Sequence, residues 1–483
     1  MAPGDRQRHV IIFPFMGAGH MIPFVDLAML LSQRGLAVTI ATTPLNVARI
    51  ESTIAHVKAS GLKIQTAQLR FPSKDYGLPE NCENFEVLTN HEMAVKFLVS
   101  LKNLKAPFER LLQESSPDCV VVDGFFYWAL KVARERKIPG IVFTITSCFS
   151  RVLLVHLHNL RPQERVTSDS EPFLVPGLPD KIELTKAQLP DSLGFRNTSH
   201  QSEMMEMLEG MAAADDESDG IVVNSFDELE PTYLQFYRDH VRKPLWTIGP
   251  VCLCHSRQRS QRGKESAINE AECLQWLDSR KERSVLYVSF GSIYNLSEAQ
   301  LLEIEMGLKN SGVFFIWVIK GPADDDKFAH GFRKEVGEAG LIIRGWAPQF
   351  MILSHPSVGA FLTHCGWNST LEAISFGVPM LTWPLFAEQH LNEKLVIQVL
   401  GTGVKVGSAV ISMALGEENQ VEVVKRECIE KAIRRVMGDG QEAAELGERA
   451  RRLGESARKA MGEGGSSYLN LSRFVETVNG YDR

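Results

Sequence analysis

The stretch from His9 to Ala41 reads HVIIFPFMGAGHMIPFVDLAMLLSQRGLAVTIA. Its two ends, His9 to Phe15 and Leu36 to Ala41, are short apolar runs of the kind that form buried strands. Met21 to Gln33 lies between them and has the length and composition of a helix. A strand, a helix and a second strand in this order predict a parallel βαβ unit.

The same alternation continues along the chain and indicates an α/β fold. Further strand-like runs are Cys119 to Val122, Gly140 to Ile145, Gly220 to Val223, Ser284 to Phe290, Val313 to Ile319, Leu341 to Arg344, Val358 to Thr363 and Val378 to Trp383. Further helical stretches are Phe125 to Arg136, Glu228 to Tyr237, Ser297 to Asn310, Val421 to Met437, Glu442 to Ala460 and Ser467 to Val478. Short, fully apolar strands suit a parallel sheet that helices cover on both faces.

A polar stretch that begins at Cys254, CHSRQRSQRGKES, interrupts this alternation and predicts a linker. We therefore predict two facing, doubly wound Rossmann-like domains, with the cleft between them as the ligand site. The predicted boundaries are 1–250 for the N-terminal domain, 251–270 for the linker and 271–460 for the C-terminal domain. A last helix, within 461–483, is expected to pack back on the N-terminal domain.

The composition limits the class of protein. The chain has 483 residues, of which 44% are hydrophobic and 23% charged, enough for two or three globular domains. Its net charge of −7 offers no basic field for nucleic acid, and no apolar run reaches the roughly 20 residues that span a bilayer. The eight cysteines are scattered, with Cys252 and Cys254 as the one close pair. We therefore expect reduced thiols, a cytoplasmic protein and no metal site.

The loop after the first predicted strand contains Gly17-Ala-Gly-His20. It matches a dinucleotide-binding motif only in part, because Ile22 stands where the third glycine belongs, so an NAD or FAD site is disfavoured. His20 comes at the start of a predicted helix, where the positive end of the helix dipole keeps an imidazole neutral and able to accept a proton. The alternative is a histidine that only packs against or caps the first helical turn.

Asp123 directly follows the predicted strand Cys119 to Val122, so we expect it at the same carboxyl edge of the sheet as His20. There its carboxylate can orient the imidazole and stabilise the imidazolium ion after proton transfer. The alternative is an aspartate that only caps the helix beginning near Phe125. No Gly-x-Ser-x-Gly motif accompanies the pair, so covalent catalysis is not indicated.

A second cluster of polar and aromatic residues lies between Trp346 and Gln389. After the predicted strand Val358 to Thr363, a helix begins near Gly366, and its first backbone amides can bind a diphosphate. Glu372, one turn further on, suits ribose hydroxyls, and Trp346 offers a flat face for a base. These features indicate a nucleotide diphosphate site, and core packing is the alternative for each aromatic residue.

The segment Trp346 to Gln389 also resembles the signature box of plant secondary product glycosyltransferases at nearly all marker positions. Other matching segments are Phe13 to Pro23, Val223 to Glu230, Ile248 to Pro250 and Tyr287 to Ser292. The chain thus resembles a plant UDP-dependent glycosyltransferase over nearly its whole length. The resemblance implies the GT-B fold of two facing Rossmann-like domains, with the acceptor held mainly by the N-terminal domain and the UDP-sugar by the C-terminal domain.

By matching positions, the resemblance implies a set of UDP-sugar-binding residues: Ser292, Trp346, Ala347, Gln349, His364, Gly366, Trp367, Asn368, Ser369, Glu372, Glu388 and Gln389. Trp346 would stack on uracil, while Gln349 and Glu372 would hold the ribose. The phosphates would be bound by Ser292, His364, Asn368 and Ser369, and the sugar by Glu388, Gln389 and the backbone of Trp367. Glutamine rather than histidine at position 389 favours UDP-glucose as the donor.

His20 and Asp123 match the catalytic base of the family and its partner. The implied reaction is a single in-line displacement in which His20 deprotonates an acceptor hydroxyl and glucose is transferred with inversion, giving a β-glucoside. UDP-glucose is the implied co-substrate, and neither a metal nor another cofactor is implied. We expect the acceptor to be a small hydrophobic plant metabolite, such as a flavonoid, phenolic, terpenoid or steroid, and the enzyme to be a monomer.

The acceptor pocket is the least defined part of this prediction. Gly17, Ala18, Phe125 and Phe386 are predicted to border it, and Phe71 to Met93 and Cys148 to Leu208 to shape it. Similar family members often carry Ala-Gln where this chain has Gly17-Ala18, a change that would widen the pocket or shift the regiochemistry. Another sugar donor, attack through carbon, nitrogen or sulfur, and a catalytically silent nucleotide-sugar-binding protein are the alternatives.

Overall fold

A computed structural model describes residues 7–189, 200–255, 262–293, 296–320, 337–407 and 423–481. The chain divides into two compact units. Unit 1 comprises Met1–Cys148, Gly194–His255 and Lys459–Arg483, and unit 2 comprises Phe149–Leu193 and Ser256–Arg458. Segment 149–193, which the sequence analysis places in the N-terminal domain, belongs to unit 2 in this division. Residues 256–261 of the predicted linker, 190–199 of the predicted acceptor stretch and 421–422 of a predicted helix lie outside the described residues.

The strands are β1 (His9–Phe13), β2 (Ala37–Thr42), β3 (Ile64–Gln68), β4 (Cys119–Val122), β5 (Gly140–Thr144), β6 (Phe173–Leu174), β7 (Glu183–Leu184), β8 (Gly220–Val223), β9 (Leu245–Thr247), β10 (Val285–Ser289), β11 (Phe314–Ile319), β12 (Gly340–Arg344), β13 (Val358–Thr363), β14 (Met380–Thr382) and β15 (Gly403–Lys405). The helices are α1 (Ala18–Gln33), α2 (Pro44–Ala59), α3 (His91–Ser100), α4 (Lys105–Ser115), α5 (Tyr127–Glu135), α6 (Cys148–Leu160), α7 (Gln201–Glu217), α8 (Pro231–Val241), α9 (Glu270–Asp278), α10 (Glu298–Ser311), α11 (Gln349–Leu353), α12 (Trp367–Phe376), α13 (Gln389–Lys394), α14 (Arg426–Met437), α15 (Gln441–Met461) and α16 (Ser466–Asn479).

Unit 1 contains one seven-stranded sheet in the order β3-β2-β1-β4-β5-β8-β9, and every neighbouring pair is parallel. Phe13 on β1 lies opposite Val122 on β4. The strand order reverses at this pair, because β2 and β3 lie on one side of it and β5 on the other. The loops that follow β1 and β4 therefore leave the same edge of the sheet side by side, which is where open α/β sheets place their ligands.

The C-terminal helix α16 packs within unit 1. Phe474 is fully buried, and its ring centroid lies 5.1 Å from that of Trp246, a residue of β9. The guanidinium of Arg34, just after α1, lies 4.0 Å from the ring centroid of Tyr468, and the Ser467 hydroxyl donates to the carbonyl of Gly249. Chain segments far apart in sequence thus share one core.

Unit 2 contains a six-stranded parallel sheet in the order β12-β11-β10-β13-β14-β15. Ser289 on β10 lies opposite Thr363 on β13, and the strand order again reverses at this pair. Its core includes the fully buried Trp317 and Ile429. The predicted α/β fold with two Rossmann-like domains is confirmed.

No helix among the described residues is both long enough and apolar enough to cross a membrane.

Candidate functional site

His20 and Asp123 form a hydrogen-bonded pair in unit 1. Gly17 has an extended backbone, so α1 begins at Ala18 and carries His20 in its first turn. The prediction began this helix three residues later, at Met21. Asp123 follows β4 directly, and its Oδ2 lies 2.7 Å from His20 Nδ1. The aspartate side chain is 4% exposed and the histidine side chain 26%.

This contact determines which imidazole nitrogen can act as a base. An ionised carboxylate only accepts hydrogen bonds, so Nδ1 of His20 carries the proton that points to Asp123, and Nε2 is the basic nitrogen of the neutral ring. The same carboxylate stabilises the imidazolium ion that forms when Nε2 takes up a proton. The arrangement is therefore suited to removing a proton from a bound molecule.

Asp123 fulfils both functions that the sequence analysis considered as alternatives. Its Oδ2 contacts His20, while its Oδ1 accepts a hydrogen bond of 3.1 Å from the backbone amide of Phe125. That bond caps the short 3-10 helix Gly124–Phe126. Because the cap holds the carboxylate at a defined angle, it also helps to orient the imidazole.

Two phenylalanine rings border the His20 imidazole. The ring centroids of Phe15 and Phe125 lie 4.9 and 5.5 Å from that of His20, both edge-on, and the two phenylalanines stack on each other at 4.2 Å. Phe85 lies 5.7 Å from Phe15. The His20 ring is thus bordered by apolar side chains on this side, which suits contact with a hydrophobic molecule.

Glu86 is a residue that sequence reasoning missed. Its side chain is nearly buried, its Oε1 accepts a 2.9 Å hydrogen bond from the Ala18 amide, and its Oε2 lies 3.6 Å from Arg49 Nη1. Since α1 has no side-chain cap from Gly17, this carboxylate satisfies one of the amides at the start of the helix. No local pattern reveals the contact, because 68 residues separate the two partners.

In unit 2, a hydrogen-bond network joins three of the predicted nucleotide-binding residues, Gln349, Ser369 and Glu372. Gln349 Nε2 donates to Glu372 Oε2 at 2.8 Å and to Ser369 Oγ at 3.1 Å. Gln349 Oε1 accepts from the hydroxyl of Tyr287 at 3.3 Å. Burial raises the pKa of Tyr287, so this hydroxyl stays protonated and donates. The network contains one carboxamide, on Gln349, and one carboxylate, on Glu372, and both groups can bind hydroxyls.

Two basic residues within the predicted linker 251–270 contact this cluster. Arg262 forms an ion pair with Glu372, and both side chains are less than 10% exposed. The Lys264 ammonium lies 5.6 Å from the ring centroid of Trp346, and Ala347 beside that tryptophan is buried. Sequence reasoning treated these two residues as linker only. Charged residues are common in polar linkers, so the sequence gave no sign of these contacts.

His364 directly follows β13 and is partly buried. Burial lowers its pKa to about 4, although the hydrogen bond that the imidazole donates to the backbone of Ser289 acts in the opposite direction. It is therefore neutral near pH 7. Within the described residues its Nδ1 has no hydrogen-bond partner. A Cβ at Gly366 or Gly291 would lie 2.5 or 2.8 Å from its Nε2, so both positions require glycine for this close approach.

The first turn of α12 follows His364 by two residues. Gly366 precedes the helix without a side-chain cap, so the first amides of a ten-residue helix point out of its N-terminus. Trp367, Asn368 and Ser369 lie in this turn. Backbone amides at a helix start bind anions, since the positive end of the helix dipole lies there.

Gln389 is buried and closes the loop before α13. Its Oε1 accepts hydrogen bonds from the amides of Leu385 and Phe386, at 2.9 and 3.0 Å. The carbonyl end of this side chain therefore holds the loop, and the NH₂ end is its donor group.

Phe386, predicted to border the acceptor pocket, packs partly buried against the core of unit 2. Ser292 follows β10 in the turn after Gly291.

Asn392, fully buried on α13, was also missed. Its Nδ2 donates to the carbonyl of Cys365 at 2.9 Å and lies 3.4 Å from Glu388 Oε1, and its Oδ1 accepts from the Ser150 hydroxyl at 3.0 Å. Cys365 has a left-handed backbone, with φ of 63°, directly before the start of α12. One amide thus joins that turn to Glu388. Its spacing of three residues from Gln389 on one helix is the only sequence signal.

Comparison with known proteins gives a consistent result. Residues 262–435 match the family described as "UDP-glucoronosyl and UDP-glucosyl transferase". The chain is 43% identical to UDP-glycosyltransferase 73C3 of Arabidopsis thaliana, over 97% of this chain and 96% of that protein. It is 44% identical to the scopoletin glucosyltransferase of Nicotiana tabacum, over 98% of both chains.

Solved structures agree with this similarity. Glycyrrhiza uralensis UGT73P12, complexed with glycyrrhetinic acid 3-O-monoglucuronide, is 37% identical with a TM-score of 0.89, covering 99% of this chain and 96% of that chain. Medicago truncatula UGT71G1, complexed with UDP-glucose, is 26% identical with a TM-score of 0.78, covering 99% and 100%. The similarity extends over the full length in each case.

Proposed function

This chain belongs to the plant UDP-glycosyltransferase family, and from that premise we propose that it transfers glucose from UDP-glucose to a hydroxyl group of a small hydrophobic metabolite. The product is a β-glucoside, formed with inversion at the anomeric carbon. The observation that carries this proposal is the 2.7 Å contact between His20 Nδ1 and Asp123 Oδ2 at the start of α1. A nucleotide-sugar-binding protein without activity would not need an oriented base.

In the proposed reaction, His20 Nε2 accepts the proton of the acceptor hydroxyl while the oxygen attacks the anomeric carbon. The bond to the UDP oxygen breaks on the opposite face, which inverts the configuration. Asp123 stabilises the resulting imidazolium ion. The apolar border of Phe15 and Phe125 supports a hydroxyl acceptor with an aromatic or polycyclic body.

Donor binding is assigned to unit 2, in agreement with the domain roles expected from the sequence. Trp346 stacks on uracil next to Ala347, and Gln349 with Glu372 binds the ribose hydroxyls. The ion pair of Arg262 with Glu372 must then rearrange, because the ribose would use the same carboxylate. Glu388, the Gln389 amide and the backbone of Trp367 bind the sugar hydroxyls.

The leaving diphosphate is stabilised by neutral donors. His364, kept uncharged by burial, offers an N–H group, and the hydroxyls of Ser292 and Ser369, the Asn368 amide and the first amides of α12 add others. Gly366 allows the chain to approach closely. We assign this step to the protein's own donors rather than to a divalent ion.

The acceptor is assigned by class only. One relative is named for scopoletin, and one solved relative is complexed with a glycyrrhetinic acid conjugate, so the small molecules linked to similar chains differ in shape. Gly17 and Ala18, at the start of α1, border the acceptor in this proposal, together with Phe125 and Phe386. The enzyme is proposed to act as a cytoplasmic monomer with reduced cysteines.

The test is a turnover assay with UDP-glucose and a panel of phenolics, terpenoids and steroids, run with a chelator present. We expect β-glucoside formation by the unaltered chain, and its near loss in His20→Ala and Asp123→Asn. An α-linked product would overturn the inverting mechanism. Binding of UDP-glucose without turnover of any acceptor would favour a catalytically silent nucleotide-sugar-binding protein. Activity of His20→Ala equal to that of the unaltered chain would show that His20 is not the catalytic base.

A further inference from the structure

A second cluster of chemically active side chains lies in unit 1, outside the residues used above. Asp26, on α1, is 1% exposed, and its Oδ1 lies 2.7 Å from His255 Nε2, on a side chain that is 7% exposed. Cys254, partly buried, precedes His255 at the end of the 3-10 helix Val251–Cys254. One donor atom from each of Asp26, Cys254 and His255 lies within 4.8 Å of the other two.

The geometry points to a site for a borderline divalent metal ion of the zinc type, held by Asp26, Cys254 and His255. Thiolate, imidazole and carboxylate are the three kinds of side chain that bind Zn²⁺, at roughly 2.0–2.3 Å. Nitrogen and sulfur donors exclude the hard ions Ca²⁺ and Mg²⁺, which prefer oxygen. At those bond lengths, tetrahedral donors are separated by about 3.3–3.8 Å, so side-chain rotation closes the cluster around an ion.

Electrostatics also favours an ion here. A buried carboxylate is costly to desolvate unless it is paired. With the thiol of Cys254 deprotonated, the thiolate and the Asp26 carboxylate together balance the two charges of the ion, and His255 binds as a neutral ligand. The ion takes the place of the proton shared between Asp26 and His255, and a water molecule completes four-coordination.

The site is separate from the proposed reaction centre. Asp26 follows His20 by six residues on the same helix, which is a rise of about 9 Å along the axis. The 3-10 helix Val251–Cys254 is the last described element of unit 1 before residue 256, and Val251 belongs to the same core as α1. The ion would fasten this segment to α1, so its role is structural, independent of glucosyl transfer.

Co²⁺ titration of the full chain, after treatment with a chelator and its removal, tests the inference. We expect one equivalent to give a thiolate-to-cobalt charge-transfer band with the visible bands of tetrahedral cobalt, and Zn²⁺ to displace it and raise the Tm. Cys254→Ser and His255→Ala should lose the band and the Tm increase. Cys428→Ser, at an exposed cysteine elsewhere, is the matched control and should keep both.

Absence of a charge-transfer band in the unaltered chain would overturn the inference, as would a band that persists in Cys254→Ser. His255→Ala decides the question even if Cys254→Ser fails to fold, because His255 follows the 3-10 helix Val251–Cys254 and is not part of it. Turnover with UDP-glucose does not enter this test, so its outcome and that of the proposed function are separate.

Discussion

Among single residues, Asp123 shows how one side chain can perform two tasks. One carboxylate oxygen caps a backbone turn at Phe125 and the other orients His20. The cap alone would be served equally well by asparagine, since both residues are good caps. Orientation of the imidazole and stabilisation of its charged form need an acceptor that carries negative charge.

We therefore expect Asp123→Asn to lower kcat by roughly 100- to 10,000-fold, because an amide NH₂ facing Nδ1 favours the wrong tautomer of His20. The Tm should change little, since the cap to Phe125 is kept. Steady-state kinetics and thermal unfolding measure the two effects. Asp123→Ala removes the cap as well and should cost about 1 kcal/mol of stability. A kcat within twofold of the unaltered chain would contradict the assignment.

His364 gives a prediction about pH. Its pKa in the folded chain is about 4, below its ordinary value, because burial disfavours the charged ring. The unfolded chain therefore binds more protons between about pH 6.5 and pH 4, and stability falls as the pH falls through this window. The slope of the unfolding free energy against pH is proportional to the difference in bound protons between the unfolded and the folded chain. His364→Asn should reduce that difference by up to about one proton.

Urea unfolding at several pH values measures this slope. His158→Asn, at an exposed position on α6, controls for the loss of a histidine. An unchanged slope in His364→Asn would show that the ring does not titrate in this window.

Among helices, α1 and α12 perform comparable tasks. Each begins directly after a strand at which its sheet order reverses, and neither has a side-chain cap from the preceding glycine. Their first turns carry His20 in one case and Trp367 to Ser369 in the other. Each start is held by a distant residue: Glu86 accepts from the Ala18 amide, and Asn392 donates to the carbonyl of Cys365.

Asn392→Asp preserves the shape of the side chain but removes the donated hydrogen bond to Cys365 and places a second carboxylate beside Glu388. Leaving a buried carbonyl unpaired costs about 1–3 kcal/mol. We expect the Kd for UDP-glucose to rise roughly 10- to 100-fold, as measured by calorimetry, and the Kd for UDP to rise less.

Ser150→Ala is the matched control, because it removes the hydrogen bond that Asn392 accepts and leaves the one that Asn392 donates to Cys365. It should have the smaller effect. A lower Tm in Asn392→Asp with unchanged affinity for UDP-glucose would limit Asn392 to a structural role.

For the molecule as a whole, the C-terminal segment is integral to unit 1. Helix α16 comes more than 200 residues after β9 in the chain, yet Phe474 packs on Trp246 in one core. The first unit is thus completed only when the last residues of the chain are in place.

Phe474→Ala should destabilise unit 1 by about 3–5 kcal/mol, because it leaves a cavity in a fully buried position. Leu469→Ala, on the same helix but 41% exposed, should change stability by about 0.5 kcal/mol or less. Thermal and urea unfolding of the two variants test this. Similar losses in both would mean that helix propensity, rather than core packing, dominates.

The sequence predicted much of the architecture because strands buried on both faces are continuous apolar runs, and helices follow them. Where it was less accurate, the cause was local geometry. The prediction began α1 at Met21, yet the helix starts at Ala18, since the extended Gly17 permits an earlier start. The strands β3, β6, β7, β9 and β15 and the helices α2 to α4, α6, α7 and α9 were not placed.

The residues of the candidate site likewise fall into those that the sequence reveals and those that only the structure reveals. His20, Asp123 and the segment from Trp346 to Gln389 are recognisable in the sequence, because their positions directly after strands and their spacing carry the signal. Glu86 and Arg262 carry none, and Asn392 carries only its spacing from Gln389, since each is defined by a contact with a residue far along the chain. The sequence predicted no metal site, because Cys254 and His255 are adjacent but Asp26 is 228 or more positions away.

By itself, the sequence determined the α/β class, the two parallel sheets and the residues that follow their strands, because these depend on local apolar patterns and on short motifs. Only the tertiary structure decided which distant groups satisfy the buried amides and carbonyls at the helix starts, and which imidazole nitrogen faces a carboxylate. Hydrogen bonds of this kind act over about 3 Å in space, and no separation along the chain predicts them.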